Sequence, residues 1–168
     1  MIFQQFFTKQ TMKLIITLLT RKEFQQLLKT ASITHEYYQT PAGMLQLSLI
    51  DGAAYAAVFV EDKTSVPTNR IRSKFDIQNI LLVGTPFQHQ VWKTALQIPA
   101  GKTTNYQEIA RIIGKPTAYR AVANALKHNR IPYFIPCHRI IKKNNDLCGY
   151  NGGLEKKVAL LQAEGAIV

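Results

Sequence analysis

A thiol and an imidazole stand side by side at Cys137 and His138, inside the run Ile135-Pro136-Cys137-His138-Arg139-Ile140-Ile141. A cysteine attacks as its thiolate. A nearby imidazole or cation promotes that form, and dry surroundings oppose it. The aliphatic flanks predict a buried, strand-like setting. On an extended strand neighbouring side chains point to opposite faces, so His138 would need a kink or a bridging water to reach Cys137. Taken alone the tetrapeptide is a weak signal, because a buried cysteine is more often inert packing. The other cysteine, Cys148, lies outside any Cys-x-x-Cys spacing, and two cysteines are too few for a disulfide framework or a four-cysteine zinc site.

The elements that must hold this pair can be read along the chain. Phe24, Leu27, Leu28 and Ala31 share a helical face over residues 21–31. Leu45, Leu47 and Leu49 alternate with Gln46 and Ser48, and Asp51-Gly52 is a hairpin signal leading into Tyr55 to Val60. With an earlier turn at Pro41-Ala42-Gly43, residues 34–60 predict a small antiparallel sheet. The polar stretch 61–76, with Pro67, predicts a surface loop or linker. From residue 84 the pattern is helical. Thr85 caps a helix with Pro86 at its first position, and Thr104 to Gln107 fits a capping box for a second. That helix stops at Gly114-Lys115-Pro116. A third runs over roughly Thr117 to Lys127, giving a helix-turn-helix pattern. A last helix, Leu154 to Glu164, ends at Gly165.

Charge points to a partner. The chain carries a net +11, and residues 83–168 hold twelve Lys/Arg against four Asp/Glu. Nine of those cations and one acid, Glu108, fall within residues 102–143. Such a basic half suits a polyanion such as nucleic acid, because facing phosphates releases counterions; a solvated basic face or an anionic membrane surface fits charge alone. The apolar run after Lys13 is too short for a membrane span, and the cysteine usage suits a reducing cytoplasm.

The ordered set Gly84-Thr85-Pro86-Phe87-Gln88, Val91-Trp92, Ile98-Pro99-Ala100-Gly101, Thr104-Asn105-Tyr106, Ile113-Gly114-Lys115-Pro116, Arg120-Ala121-Val122, Asn129, Pro136-Cys137-His138-Arg139, Gly149-Tyr150-Asn151-Gly152-Gly153, Lys157 and Leu160 to Gly165 closely resembles the O6-alkylguanine-DNA alkyltransferase family, the methylated-DNA–protein-cysteine methyltransferases. The match is dense over residues 84–165. The resemblance implies an α+β fold: a small N-terminal antiparallel, ribonuclease-H-like sheet domain and a helical C-terminal domain with a winged helix-turn-helix. The expected division is an extension at 1–32 with a short amphipathic helix, an N-terminal domain and linker at 33–82, and the alkyltransferase domain at 83–168.

The resemblance also implies roles. Cys137 matches the alkyl acceptor, His138 a base acting through a water, and Glu164 the carboxylate orienting the imidazole. Arg120 matches the residue that fills the stack vacated by a flipped guanine, and Tyr106 one that helps rotate and contact the base. Asn129 matches a tie between recognition helix and active-site turn. Tyr150, Asn151 and Gly152 match the loop closing over the base, with Lys157 nearby; Ile140 completes the substrate-binding set. The implied partner is double-stranded DNA containing O6-alkylguanine, met by a monomer that needs no cofactor and no metal. A lesion sensor that flips the base without reacting, a helix-turn-helix regulator and a thiol hydrolase are the other readings; Cys137 argues against the first. Arg130, following Asn129, and Cys148, before Tyr150, depart from the family's usual proline and small or hydroxyl residue.

Overall fold

The computed structural model describes residues 15–61, 66–72, 77–143, 146–147 and 149–167. Its elements follow in the order β1 (Ile15–Leu19), α1 (Arg21–Leu27), β2 (Ile33–Thr40), β3 (Gly43–Ile50), β4 (Ala53–Phe59), β5 (Ile71–Arg72), β6 (Asn79–Val83), α2 (Pro86–Leu96), β7 (Thr104–Asn105), α3 (Tyr106–Ile112), α4 (Tyr119–Lys127), β8 (Ile140–Ile141) and α5 (Leu154–Ala163).

The two predicted hairpins form at their predicted turns, pairing β2 with β3 and β3 with β4 antiparallel. The expectation of a purely antiparallel sheet is corrected. The sheet has six strands in the order β1-β6-β4-β3-β2-β5, and β1–β6, β4–β6 and β2–β5 are parallel. Residues 15–19 belong to the sheet, where their backbone groups find the ladder of residues 79–83. The stretch expected as a linker contributes β5 at its described end.

Alternation along the strands gives the sheet two apolar faces. On one, Phe24 of α1 packs with Ile50 and Leu81. On the other, Tyr38, Leu47, Leu49, Ala54 and Ile80 meet Val91, Trp92, Ala95, Ile109, Val122, Ala125 and Cys137 in one continuous core. Trp92 satisfies its indole N–H on the Ala125 carbonyl at 2.9 Å, so burying this large side chain leaves no donor unpaired.

Thr85 caps α2 as expected and forms a reciprocal capping box with Gln88. At α3 the cap is Asn105 rather than Thr104: its side chain accepts from the Gln107 and Glu108 N–H groups, while both residues pair in β7, opposite Ile140 and Ile141. The chain leaves α3 through Gly114 at φ 71°, a left-handed conformation that glycine adopts without a Cβ penalty. Lys115 N–H then closes back on the Ala110 carbonyl at 2.9 Å, and α4 begins at Tyr119.

Candidate active site

Cys137 to Arg139 form a single 3-10 turn, not the extended strand expected from the flanking aliphatics. The preceding segment explains this. Ile135 N–H bonds back to the Ile131 carbonyl at 3.0 Å, and Tyr133 between them adopts φ 79°, at a backbone cost of about 1–2 kcal/mol for a residue with a Cβ. The turn therefore enters Pro136 already coiled. Asn129, at the end of α4, holds it from inside. Its amide donates to the Ile135 carbonyl and to Cys137 Sγ, each at 3.3 Å, and its oxygen accepts from Ile131 N–H at 2.9 Å. Buried Asn129 thus links the end of α4 to this turn.

Cys137 is buried. Burial pushes its thiol pKa up; the Asn129 amide, the Lys157 charge and the backbone N–H groups of Cys137 and His138 act in the opposite sense. Lys157 is fully buried on α5 and donates its ammonium to the Ile140 carbonyl at 2.8 Å.

His138 points the other way, toward Glu164 at the end of α5. Nε2 lies 3.0 Å from Glu164 Oε1. A carboxylate only accepts, so Nε2 carries the proton and Nδ1 keeps its lone pair. Nδ1 is buried and has no hydrogen-bond partner among the described residues. Burial lowers the His138 pKa, against the opposing pull of Glu164. Arg139 completes the group: Nε and Nη2 donate to the two Glu164 oxygens at 2.9 and 2.7 Å. For Glu164 itself burial works upward, and the bonds from His138 and Arg139 outweigh it, holding the carboxyl at about 2. The Glu164 carboxylate is therefore ionised throughout the neutral range.

Arg139 had no role assigned from the sequence. Part of a signal was available: a guanidinium within an aliphatic run cannot be buried without an acid, but the last helix offers both Glu155 and Glu164, and only the fold selects Glu164.

Cys137 opens into a cleft of about 360 Å³ lined by Tyr106, Ala123, Leu126, Lys127, Gly149 and Asn151, within the size range of small-ligand sites. Tyr106 starts α3 and Asn151 lies on the loop before α5. Asn151 Nδ2 donates to the Lys127 and Asn129 carbonyls at 2.8 and 3.1 Å, pinning that loop to the end of α4. Tyr150 is set edge-on to His138, ring centroids 6.2 Å apart. Burial, followed by the charge of Cys137, pushes its phenol pKa up. Arg120 stands apart from the cleft lining; it is exposed in the first turn of α4, its guanidinium 5.7 Å from the Tyr119 ring centroid. Cys148 lies outside the described residues.

The chemistry open to this arrangement is nucleophilic attack by a buried thiol on a group admitted through the cleft, with a neutral imidazole beside it as base. Residues 86–166 match the family described as 6-O-methylguanine DNA methyltransferase, DNA binding domain. A probable methylated-DNA–protein-cysteine methyltransferase of Acanthamoeba polyphaga mimivirus is 57% identical over 83 residues, 49% of this chain and 55% of that protein. The Kluyveromyces lactis methylated-DNA–protein-cysteine methyltransferase is 40% identical over 117 residues, 70% of this chain and 62% of its own length. Mycobacterium tuberculosis O6-methylguanine methyltransferase, a solved structure, superposes with a TM-score of 0.64 at 33% identity, over 80% of this chain and 93% of that one. OGT of the same organism in complex with DNA gives 0.64 at 34% identity, over 78% and 92%. The chain spans between about half and two thirds of these curated relatives' lengths.

Proposed function

Because the chain belongs to the O6-alkylguanine-DNA alkyltransferase family, we propose that it repairs DNA by direct reversal: it flips O6-alkylguanine, mainly O6-methylguanine, out of the duplex and moves the alkyl group onto Cys137. The observation that carries this reading is the shared turn: one 3-10 turn presents a thiol at the floor of a cleft and an imidazole whose free nitrogen is set by Glu164.

The raised thiol pKa means that attack needs a base. His138, neutral and with Nδ1 unprotonated, takes the Cys137 proton through a water. The sulfur forms its bond to the alkyl carbon as the bond from that carbon to O6 breaks. The pair of electrons goes to the guanine, which then recovers one proton. Sulfur exchanges hydrogen for alkyl and guanine the reverse, so no cofactor enters the balance. The thioether has no route back, and each molecule acts once. Lys157 and the amide of Asn129 steady the developing thiolate.

Around this chemistry the remaining assignments follow. Helices α3 and α4 form the helix-turn-helix of a winged domain, residues 83–168, with Arg120 entering the base stack and Tyr106 turning the nucleotide toward the cleft. Tyr150, Asn151 and Gly152 close over the base, and Ile140 supports the floor. The sheet, residues 33–82 with β1 added, is ribonuclease-H-like. The protein works as a cytoplasmic monomer on double-stranded DNA. Among the described residues no helix is long and apolar enough to cross a membrane.

Incubation with a duplex bearing O6-methylguanine, followed by intact-mass and peptide analysis, tests the proposal. One methyl per chain on Cys137 is expected, and none for Cys137→Ala. A methyl found mainly on Cys148, or no adduct from folded protein, overturns it.

A further inference from the structure

We propose that Phe59, the last residue of β4, is a positioning residue for alkyl transfer, holding the Tyr150 ring against His138; the inference rests on the function proposed above and extends it to the sheet. Phe59 belongs to the N-terminal half of the chain and lies outside every motif that carries the family resemblance.

Tyr150 sits on an irregular loop between β8 and α5, so the loop backbone by itself does not fix its ring. Its neighbours do. The ring packs against both the main core and the small cluster around Leu45 and Leu160; it meets His138 edge-on, at 6.2 Å and 88°, and Phe59 at 6.5 Å and 55°. Gly152 shows how closely the second pair is packed. A Cβ placed there lies 2.8 Å from Tyr150 Cε1 and 2.9 Å from Phe59 Cδ2, distances that side-chain carbons do not tolerate. Both rings therefore close onto the bare Cα of Gly152.

Phe59 is itself immobilised. It is buried in a small cluster with Leu45, Tyr133 and Leu160. Its ring is capped by Lys156, whose ammonium is 5.8 Å from the ring centroid and paired with Glu61 at 2.6 Å. The sheet thus reaches the imidazole through one intermediary: Phe59 fixes Tyr150, and Tyr150 walls His138 off from water. The charged and titratable groups facing His138 are Glu164, Arg139, Lys157 and Tyr150, with Cys137 adjacent. Removing the wall rehydrates the imidazole, and the burial that lowers its pKa is relieved.

The test uses the full chain with Phe59→Leu, which keeps apolar bulk and loses the flat ring, alongside Tyr150→Leu and the double variant. Two quantities are read: single-turnover methyl transfer across a range of duplex concentrations, and the His138 titration midpoint by NMR. Emission from Trp92, the one tryptophan, checks that the main core is intact. Phe59→Leu is expected to slow transfer at saturating duplex by about tenfold to a hundredfold, the range typical of a small misplacement. Its half-saturating duplex concentration should stay within about twofold, since uniform binding is untouched. The His138 midpoint should rise toward its ordinary 6.5, and adding Phe59→Leu to Tyr150→Leu should cost nothing further. An unmoved midpoint, an unchanged saturating rate, or losses that multiply independently in the double variant overturn the proposal. If the unaltered protein transfers no alkyl group, the proposed function fails, while the His138 midpoint still decides whether Phe59 positions the site.

Discussion

Replacing Glu164 with glutamine keeps the outline of the side chain and removes its charge. In the structure the carboxylate accepts from Arg139 Nε and Nη2 at 2.9 and 2.7 Å and from His138 Nε2 at 3.0 Å. The glutamine oxygen can replace one acceptor oxygen. Its NH2 group then faces a guanidinium N–H, donor against donor, and buried Arg139 loses its countercharge. Breaking a buried pair in this way costs about 3–5 kcal/mol. The titration gives a similar figure: lowering a carboxyl from 4.5 to about 2 corresponds to about 3 kcal/mol. The sign follows from the depressed value. This contribution is fully present above pH 4.5 and is lost as pH falls toward 2. Urea unfolding followed by Trp92 emission, repeated between pH 7 and 2, should show Glu164→Gln about 3 kcal/mol less stable at neutral pH. The gap should close between pH 4.5 and 2. Transfer at saturating duplex should fall by about a hundredfold or more, since the imidazole loses its orienting acceptor. Curves that stay parallel across that window would refute the electrostatic reasoning, and an unchanged rate would remove Glu164 from the mechanism.

Arg120→Ala should slow repair of duplex DNA far more than loss of one phosphate contact explains, yet barely change inactivation by free O6-benzylguanine, where no stack has to be opened; equal losses on both would point to a damaged pocket. The rate of transfer should hold its neutral plateau to pH values below 6.5, because His138 is kept neutral by burial. A pH–rate midpoint at or above 6.5 would mean that the base is another group or that His138 is hydrated.

Local signals in the sequence carried most of the helices and both hairpins, because a cap such as Thr85 or a turn such as Asp51-Gly52 acts within four residues. Pairings over longer range were not legible. Nothing near Ile15–Leu19 announces a parallel partner at Asn79–Val83, so an apolar run that reads only as too short for a membrane became a strand. The cap at Asn105 was misplaced by one residue because Thr104 and Asn105 are both good caps, and the residue types alone do not say which of them adjoins the first helical turn. In the site, Cys137 and His138 were visible as chemistry. Their link to Glu164 came through family resemblance, since 26 residues separate it from His138. Arg139 was missed because its burial in an aliphatic run calls for an acid without saying which one, and the pairing with Glu164 exists only once α5 reaches the turn; the Phe59–Tyr150 contact likewise exists only once the end of β4 is brought there.

The parallel pairing of β1 with β6 also sets a timetable for synthesis. Ile15 waits for Asn79, 64 residues later, which at about 5–20 residues per second is on the order of 3–13 s on the ribosome. The hairpins β2–β3 and β3–β4 can close as soon as they emerge, but the sheet stays unfinished on the β1 side until β6 follows. During that interval Ile16 and Leu19, the β1 residues packed in the finished fold, have no ladder to join, so chaperone engagement of the nascent chain should be concentrated there, before any part of the thiol site has been made.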